Sequence, residues 1–373
     1  MIMQEAQLVE SLNKLLLSAL EKRASDIHFE PYHQYYRIRM RIDGVLQNIL
    51  MPPPSLAKQI AARLKIMANL NIAEHRLPQD GQLVINNYAM RIATLPVING
   101  EKIVLRVMDN HESEMTINDL GLTEQDLITF KQILDYPQGL ILVTGPTGSG
   151  KTMTLYSALK RLNKAERNIC SVEDPIEIPL DGINQTAINF KAGLTFSVIL
   201  RALLRQDPDV MMIGEIRDHE TAEIAIQAAQ TGHLVLSTLH TNSSDEAIVR
   251  LNQMGIKNYL LSSSLKLVIA QRLVRKLCQN CKVFASELVL IDNQPSPHYM
   301  SMGCEKCVGG YLGRVGLYEL LIITPDVQQQ ILTNQPILSK NRVTLMQAGY
   351  QLVQQGVTTL AELNRVLGEV IIG

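Results

Sequence analysis

The sequence predicts an α/β protein whose larger part is a parallel sheet covered by helices, preceded by a smaller α+β domain. Three observations carry that expectation. Residues 140–144 form an apolar, β-branched run that ends in a glycine-rich loop and passes at once into a helix-forming segment, 155–163. Between Leu122 and Thr238 helical and strand patterns alternate repeatedly, the signature of strand–helix units. Upstream of residue 108 the pattern is instead one of short strands with period-two alternation and tight turns.

In chain order, Leu8, Leu12, Leu15, Leu16 and Leu20 make a helical stripe over 5–22. Alternation on both sides of Asp43-Gly44 reads as a β-hairpin, with strands over 35–42 and 45–50. Helical spacing returns over 55–70 (Ile60, Leu64, Met67), and short strands follow at 82–85, 89–95 and 102–108, with turns at Asn86-Asn87 and Asn99-Gly100. Residues 109–118 are polar and aperiodic, which reads as linker. Beyond it come helix 123–135, the glycine-loop unit, strand 168–172, helix 195–205, strand 210–213, helix 220–230 and strand 234–238. From Asp245 the pattern reads as helical to about residue 277, and again from Asp326 onward. The resulting domains are 1–108 (α+β), 109–121 (linker), 122–277 (α/β), 278–310 (cysteine region) and 311–373 (helical).

A chain of 373 residues has room for two or three domains. With 46% hydrophobic and 19% charged residues it has an ordinary globular composition rather than a disordered one. A net charge of −1 gives no bulk attraction to nucleic acid or anionic lipid. No apolar run approaches a membrane span, and residues 1–21 do not resemble a signal peptide. The expectation is a cytoplasmic protein that meets membranes only through a partner.

The chemistry centres on Gly145, Pro146, Thr147, Gly148, Ser149, Gly150, Lys151 and Thr152, a phosphate-loop pattern in its required strand–loop–helix context. The glycines let backbone N–H groups wrap phosphate oxygens, and the following helix adds its positive end. Lys151 can reach the β- and γ-phosphates, and the Thr152 hydroxyl can ligate Mg²⁺. Residues 210–215 are an apolar strand ending in Glu215, the layout of a Walker B segment, except that Gly214 stands where many such enzymes place an Asp. Glu173 and Asp174 are further carboxylates at a neighbouring strand end. His233 and His240 bracket another apolar strand, whose carboxyl end lies on the ligand side of a parallel sheet.

Residues 145–152, 172–177 (Val-Glu-Asp-Pro-Ile-Glu), 204–209 (Leu-Arg-Gln-Asp-Pro-Asp), 213–218 (Ile-Gly-Glu-Ile-Arg-Asp) and the His233/His240 segment resemble, in order and spacing, the secretion ATPase superfamily. The match is to its type II secretion and type IV pilus assembly members. It extends to 24–31, 76–81, 310–314 and 356–359, nearly the whole chain. The resemblance implies a RecA-like ATPase domain preceded by a PAS-like α+β domain, working as a homo-hexameric motor on ATP and Mg²⁺. It implies Glu215 as the Walker B glutamate, with Arg217 in the same segment, Glu173 as the Asp-box glutamate, and His240 as the γ-phosphate sensor. It also implies nucleotide contacts from arginines of the amino-terminal domain, for which Arg76, Arg91 and Arg106 are the candidates. A frequent family arginine after the Gln-Asp-Gly turn is Gln82 here, a departure from the pattern.

Cys278/Cys281 and Cys304/Cys307 form two Cys-x-x-Cys pairs 22 residues apart, a four-thiolate set for structural Zn²⁺, with the intervening residues expected to protrude as a loop. Cys170 reads as a small core residue. Assembly and secretion ATPases resemble this chain in carrying such a motif, whereas retraction ATPases generally lack it. The implied partners are a polytopic inner-membrane platform protein and a cytoplasmic docking subunit. Many relatives carry a further amino-terminal docking domain; this chain starts almost at the helix before Ala24, as a naturally short member (some competence systems have one) or a trimmed chain would. A DNA-translocating or competence-related ATPase is the alternative, but no basic stripe supports it, and Trp is absent with only five Phe for stacking.

Overall fold

A computed structural model describes residues 2–86, 88–108, 114–291, 294–338 and 342–368. The chain divides into two compact units, 1–113 and 114–373. Asn87 of the expected Asn86-Asn87 turn and residues 109–113 of the expected linker lie outside the described residues.

The first unit contains α1 (Ile2–Glu21), β1 (Ala24–Pro31), β2 (Tyr36–Ile42), β3 (Val45–Leu50), α2 (Ala57–Met67), β4 (Gln79–Ile85), β5 (Tyr88–Val97) and β6 (Gly100–Val107). Its strands form one antiparallel sheet in the order β3-β2-β1-β6-β5-β4. Period-two alternation sends Ile27, Phe29, Ile38, Met40, Ile92, Ile103 and Leu105 to one buried face. Helices α1 and α2 pack on strands β1 and β6, through buried residues such as Leu12, Leu16, Ile60 and Leu64. This is an α+β sandwich, as the alternation predicts.

The second unit carries α3 (Glu124–Leu134), β7 (Gly139–Thr144), α4 (Lys151–Leu162), β8 (Ile169–Glu173), β9 (Asn184–Ala187), α5 (Phe196–Leu203), β10 (Val210–Ile213), α6 (His219–Gln230), β11 (Leu234–Leu239), α7 (Ser244–Gln253) and α8 (Asn258–Ser264). Its sheet is completed by β12 (Leu265–Leu277) and β17 (Tyr311–Ile322), in the order β17-β12-β7-β11-β10-β8-β9; all neighbours are parallel except the edge pair β12–β17. Helices cover both faces. Leu140 and Leu142 of β7 join a core with α5 to α8, while Ile141 and Val143 join one with α3 and α4. Burial on both faces is why these strands read as unbroken apolar runs.

Four expectations change here. Residues 265–277, read as helix, form β12, because a run of Leu267, Val268, Ile269 and Ala270 inserts beside β7 with its side chains buried on both sides. Region 311–373 is likewise not wholly helical: β17 precedes α9 (Pro325–Leu332), α10 (Leu345–Gln354) and α11 (Leu360–Leu367). Residues 282–303 do not simply protrude. They make two small ribbons, β13 (Val283–Phe284) with β16 (Tyr299–Met300) and β14 (Val289–Ile291) with β15 (Gln294–Ser296). Ile291 buries against Leu345, Val353 and Leu363, so the region shares a core with α10 and α11. Residues 114–121, assigned to the linker, belong to the second unit, where Ile117 and Leu120 are buried and Leu120 O accepts from the Tyr318 hydroxyl at 2.8 Å.

Helix α11 is tied to β12 by a buried carboxylate. Glu362 accepts from Arg275 Nη2 at 2.8 Å, Arg275 Nε at 3.0 Å and Arg365 Nε at 2.7 Å, while Arg275 stacks on Tyr311 at 4.0 Å. Burial alone would raise the Glu362 carboxyl, but hydrogen bonds from Arg365 and Arg275 hold it at about 2. A folded value below the ordinary one stabilises the fold above about pH 4.5, and the contribution is lost as pH falls toward 2. Glu362→Gln strands the largely buried Arg275, while the half-exposed Arg365 can turn to solvent, at a cost of roughly 3 kcal/mol. Thermal unfolding should show a lower midpoint for the variant at neutral pH and a shallower decline on acidification; equal midpoints would refute the anchor.

Candidate active site and metal centre

Strand β7 ends at Thr144 and α4 begins at Lys151, so residues 145–150 are the loop between a buried strand and a helix N-terminus. Strand β12 presses against this loop. A Cβ at Gly145 (φ +152°) would sit 2.5 Å from Gln271 O, and one at Gly150 (φ +89°) 2.8 Å from Gln271 Nε2. Gly145 therefore requires glycine for room as well as for conformation, and Gly150 for its left-handed conformation. Pro146, Thr147 and Gly148 are exposed on the rim, and Thr152 is exposed in the first turn of α4, where its hydroxyl is free to meet a phosphate-bound cation. Ser149 Oγ is buried with no hydrogen-bond partner.

Lys151 folds back over the loop, its Nζ donating to Gly145 O at 2.8 Å and Pro146 O at 3.0 Å. Burial pulls its ammonium down to about 8; Glu215 opposes the shift and Arg272 adds to it. The site thus holds a desolvated cation beside a helix N-terminus, a receptor for a polyanion.

Glu215 follows β10 by two residues and His240 follows β11 by one, so pairing of β10, β11 and β7 brings both to the strand end that carries the loop. One Glu215 oxygen pairs with Arg217, and the other lies 3.5 Å from His240 Nε2. His240 is held below its ordinary value first by burial and then by Lys151, against the pull of Glu215. It is therefore neutral at pH 7 and leaves Glu215 able to accept from another donor. Lys151, Glu215, Arg217 and His240 are brought together.

Glu173 is placed differently. Its carboxylate is buried and accepts from the Tyr156 hydroxyl, Ser171 Oγ (2.6 Å) and Gln185 Nε2 (3.0 Å), anchoring α4 and β9 to β8. Gly214 lets three strands close up: its N–H donates to Val172 O at 2.8 Å and its carbonyl accepts from Thr238 Oγ1 at 2.7 Å. A Cβ there would lie 3.3 Å from Val172 O. Arg76, Arg91 and Arg106 belong to the first unit. Arg91 and Arg106 stand opposite one another on β5 and β6, and Gln82 extends the same row on β4. Arg106 Nε donates to Asp26 Oδ1 at 3.0 Å; Arg76 lies outside that row, exposed, with Glu74 3.6 Å away.

Sequence reasoning missed Gln271 and Arg272. Gln271 Oε1 accepts from Thr154 Oγ1 of α4 at 2.7 Å. Arg272 is buried and donates to Gln271 O and Asn242 O, both at 2.9 Å, joining the floor of the loop to the segment after His240. The signal was a Gln-Arg pair inside an apolar run, which a helical reading of that run hid.

The four motif cysteines meet. Their Sγ atoms all lie within 4.8 Å of one another, with Cys278–Cys304 at 3.9 Å, Cys281–Cys307 at 3.7 Å and Cys304–Cys307 at 3.6 Å. These separations are too long for disulfides and match the roughly 3.8 Å edge of a tetrahedron with Zn–S bonds of about 2.3 Å. The cluster has the donor set and the geometry for a metal ion. Cys170 is buried elsewhere.

A family model described as "Type II/IV secretion system protein" matches residues 2–365. A "Protein transport protein HofB homolog" of Escherichia coli is 56% identical over 96% of this chain and 81% of its own length. The "Type IV pilus assembly ATPase PilB" of Acinetobacter baylyi is 46% identical, covering 98% of this chain and 67% of its own. Among solved structures, the pilus retraction motor PilT with bound ADP is similar at a TM-score of 0.63 and 27% identity, over 95% of this chain and 96% of that one.

Because burial pulls the Lys151 ammonium down to about 8, a triphosphate must bind its charged form. Nucleotide affinity should weaken roughly tenfold between pH 7.5 and 9, with proton uptake on binding in calorimetry. Affinity independent of pH across this window would show that Lys151 is not the phosphate cation.

Proposed function

The chain belongs to the type II/IV secretion system protein family, and on that premise we propose that it is a ring motor spending ATP to assemble a type IV pilus or a type II secretion pseudopilus. It is an ATPase of that family. The observation that carries the catalytic reading is the convergence of Lys151, Glu215 and His240 at the carboxyl ends of three adjacent strands. In the proposed mechanism, loop N–H groups and Lys151 hold the β- and γ-phosphates. Thr152 would hold Mg²⁺, which would neutralise phosphate charge. Glu215 orients and deprotonates the attacking water, Arg217 fixes its other oxygen, and neutral His240 donates toward the γ-phosphate. Glu173 enters as a positioning group, since its oxygens already hold α4 and β9.

The four cysteines would hold Zn²⁺ in a closed thiolate shell, a structural role that secures the ribbons to α10 and α11. Such a motif favours the assembly branch over retraction. Among the described residues no helix is long and apolar enough to cross a membrane. We place the protein in the cytoplasm as a hexamer acting on a polytopic inner-membrane platform protein, with a docking subunit as a second partner.

Glu215→Gln tests the chemistry. It should lower steady-state phosphate release by roughly 10²–10⁴-fold while ATP affinity stays within about threefold. Unchanged hydrolysis would sink the assignment of Glu215 as base.

A further inference from the structure

Glu319 is a buried carboxylate to which the mechanism above gives no role. It sits on β17 opposite Ala270 of β12, one residue before the Gln271-Arg272 pair. One oxygen accepts from Ser244 N at 3.0 Å and Ser244 Oγ at 2.5 Å; the other accepts from Leu345 N at 3.3 Å. Ser244 opens α7 and Leu345 opens α10, so one carboxylate faces two helix N-termini, each of which favours a negative charge. Arg342, just ahead of α10, points its Nη1 at the same place, 3.9 Å from Glu319 Oε1 and 3.3 Å from Ser244 Oγ.

What enters α7 is the end of the nucleotide site. His240 is four residues upstream of Ser244. Between them, Thr241 exchanges a 2.7 Å hydroxyl contact with Thr144 at the mouth of the phosphate loop, and Asn242 O takes the bond from Arg272. Residues 240–243 are therefore held at the loop by Thr144 and Arg272, and at their far end by Glu319. The same carboxylate holds the start of α10, whose Leu345 and Val353 share a core with Ile291 of the cysteine region and Leu363 of α11.

We propose that Glu319 is a positioning residue for hydrolysis, a clamp that makes the His240 segment and the carboxyl-terminal helices one mechanical unit. A displacement of His240 toward a γ-phosphate shifts Ser244, and through Glu319 it shifts the N-terminus of α10. Loss of the clamp misplaces His240 and uncouples α10 from the nucleotide. The proposal rests on the ATPase reading of the site.

Glu319→Gln is the test. The amide keeps one acceptor, sets an NH₂ group against an N–H donor, and removes one of the two charges that Arg342 faces, leaving Asp245 at 3.4 Å. Two readouts are taken on the full chain, with circular dichroism to establish that the variant folds. Steady-state kinetics should show kcat reduced roughly tenfold or more with KM for ATP within about twofold. Amide hydrogen exchange over 345–354 should change between ADP and a non-hydrolysable ATP analogue in the wild type, and not in the variant. A variant that keeps either the wild-type kcat or the nucleotide-dependent exchange overturns the clamp. If the variant does not fold, the wild-type exchange decides: no difference over 345–354 between the two nucleotides overturns the proposal. A wild type that hydrolyses no ATP would instead defeat the functional reading, leaving the exchange result to judge the coupling.

Discussion

Parallel backbone pairing is the constraint on which the rest of this site depends. Thr144 of β7 registers with Leu239 of β11, and Ile213 of β10 with Ser237, so Gly145, His240 and Glu215 end their strands within about one residue of the same level. Neighbouring strands lie about 4.8 Å apart, which brings a lysine, a histidine and a glutamate within reach of one ligand without any loop having to travel. The charges then tune one another. Lys151 and His240 are each depressed first by burial, and Glu215 opposes both shifts from a partly enclosed position. A site whose lysine and histidine are both held low by burial gains from the negative charge of a triphosphate.

The second constraint is close approach. Strand β12 lies against the phosphate loop so tightly that a side chain at Gly145 would meet the Gln271 backbone, while Gly150 needs its left-handed conformation and Gly214 lets β8, β10 and β11 approach closely. The glycine at 214 thus has a packing reason of its own. Strand β12 then runs on to Leu277, next to the first metal-ligand candidate, Cys278, and carries Arg275 to its bond with Glu362. Nucleotide loop, cysteine cluster and terminal helices thus hang on one strand.

Much of this was legible in the sequence because it is local. The loop from Gly145 to Thr152, the hairpin at Asp43-Gly44 and the cysteine pairs each announce themselves through spacing over a few residues. Glu215 and Glu173 gained weight from the phosphate loop beside them, while their named roles, and His240 altogether, needed the resemblance, since a lone histidine at a strand end carries little weight. What stayed hidden is non-local. Residues 265–277 contain enough spaced Leu, Lys and Arg to pass for an amphipathic helix, and only the vacancy beside β7 makes them a strand. Gln271, Arg272 and Glu319 acquire meaning through partners tens of residues away, which no periodicity reveals. Glu173 shows the reverse case: the motif singles it out, but the side chains of Tyr156 and Gln185 decide which way it faces.

The most direct test of the central claim measures phosphate release against protein concentration, with particle mass followed in parallel. The account predicts that specific activity rises as the chain assembles into a ring and levels off once assembly is complete. Specific activity that stays flat across the assembly transition would contradict a ring motor, and the absence of phosphate release from assembled protein supplied with ATP and Mg²⁺ would contradict the hydrolytic site itself.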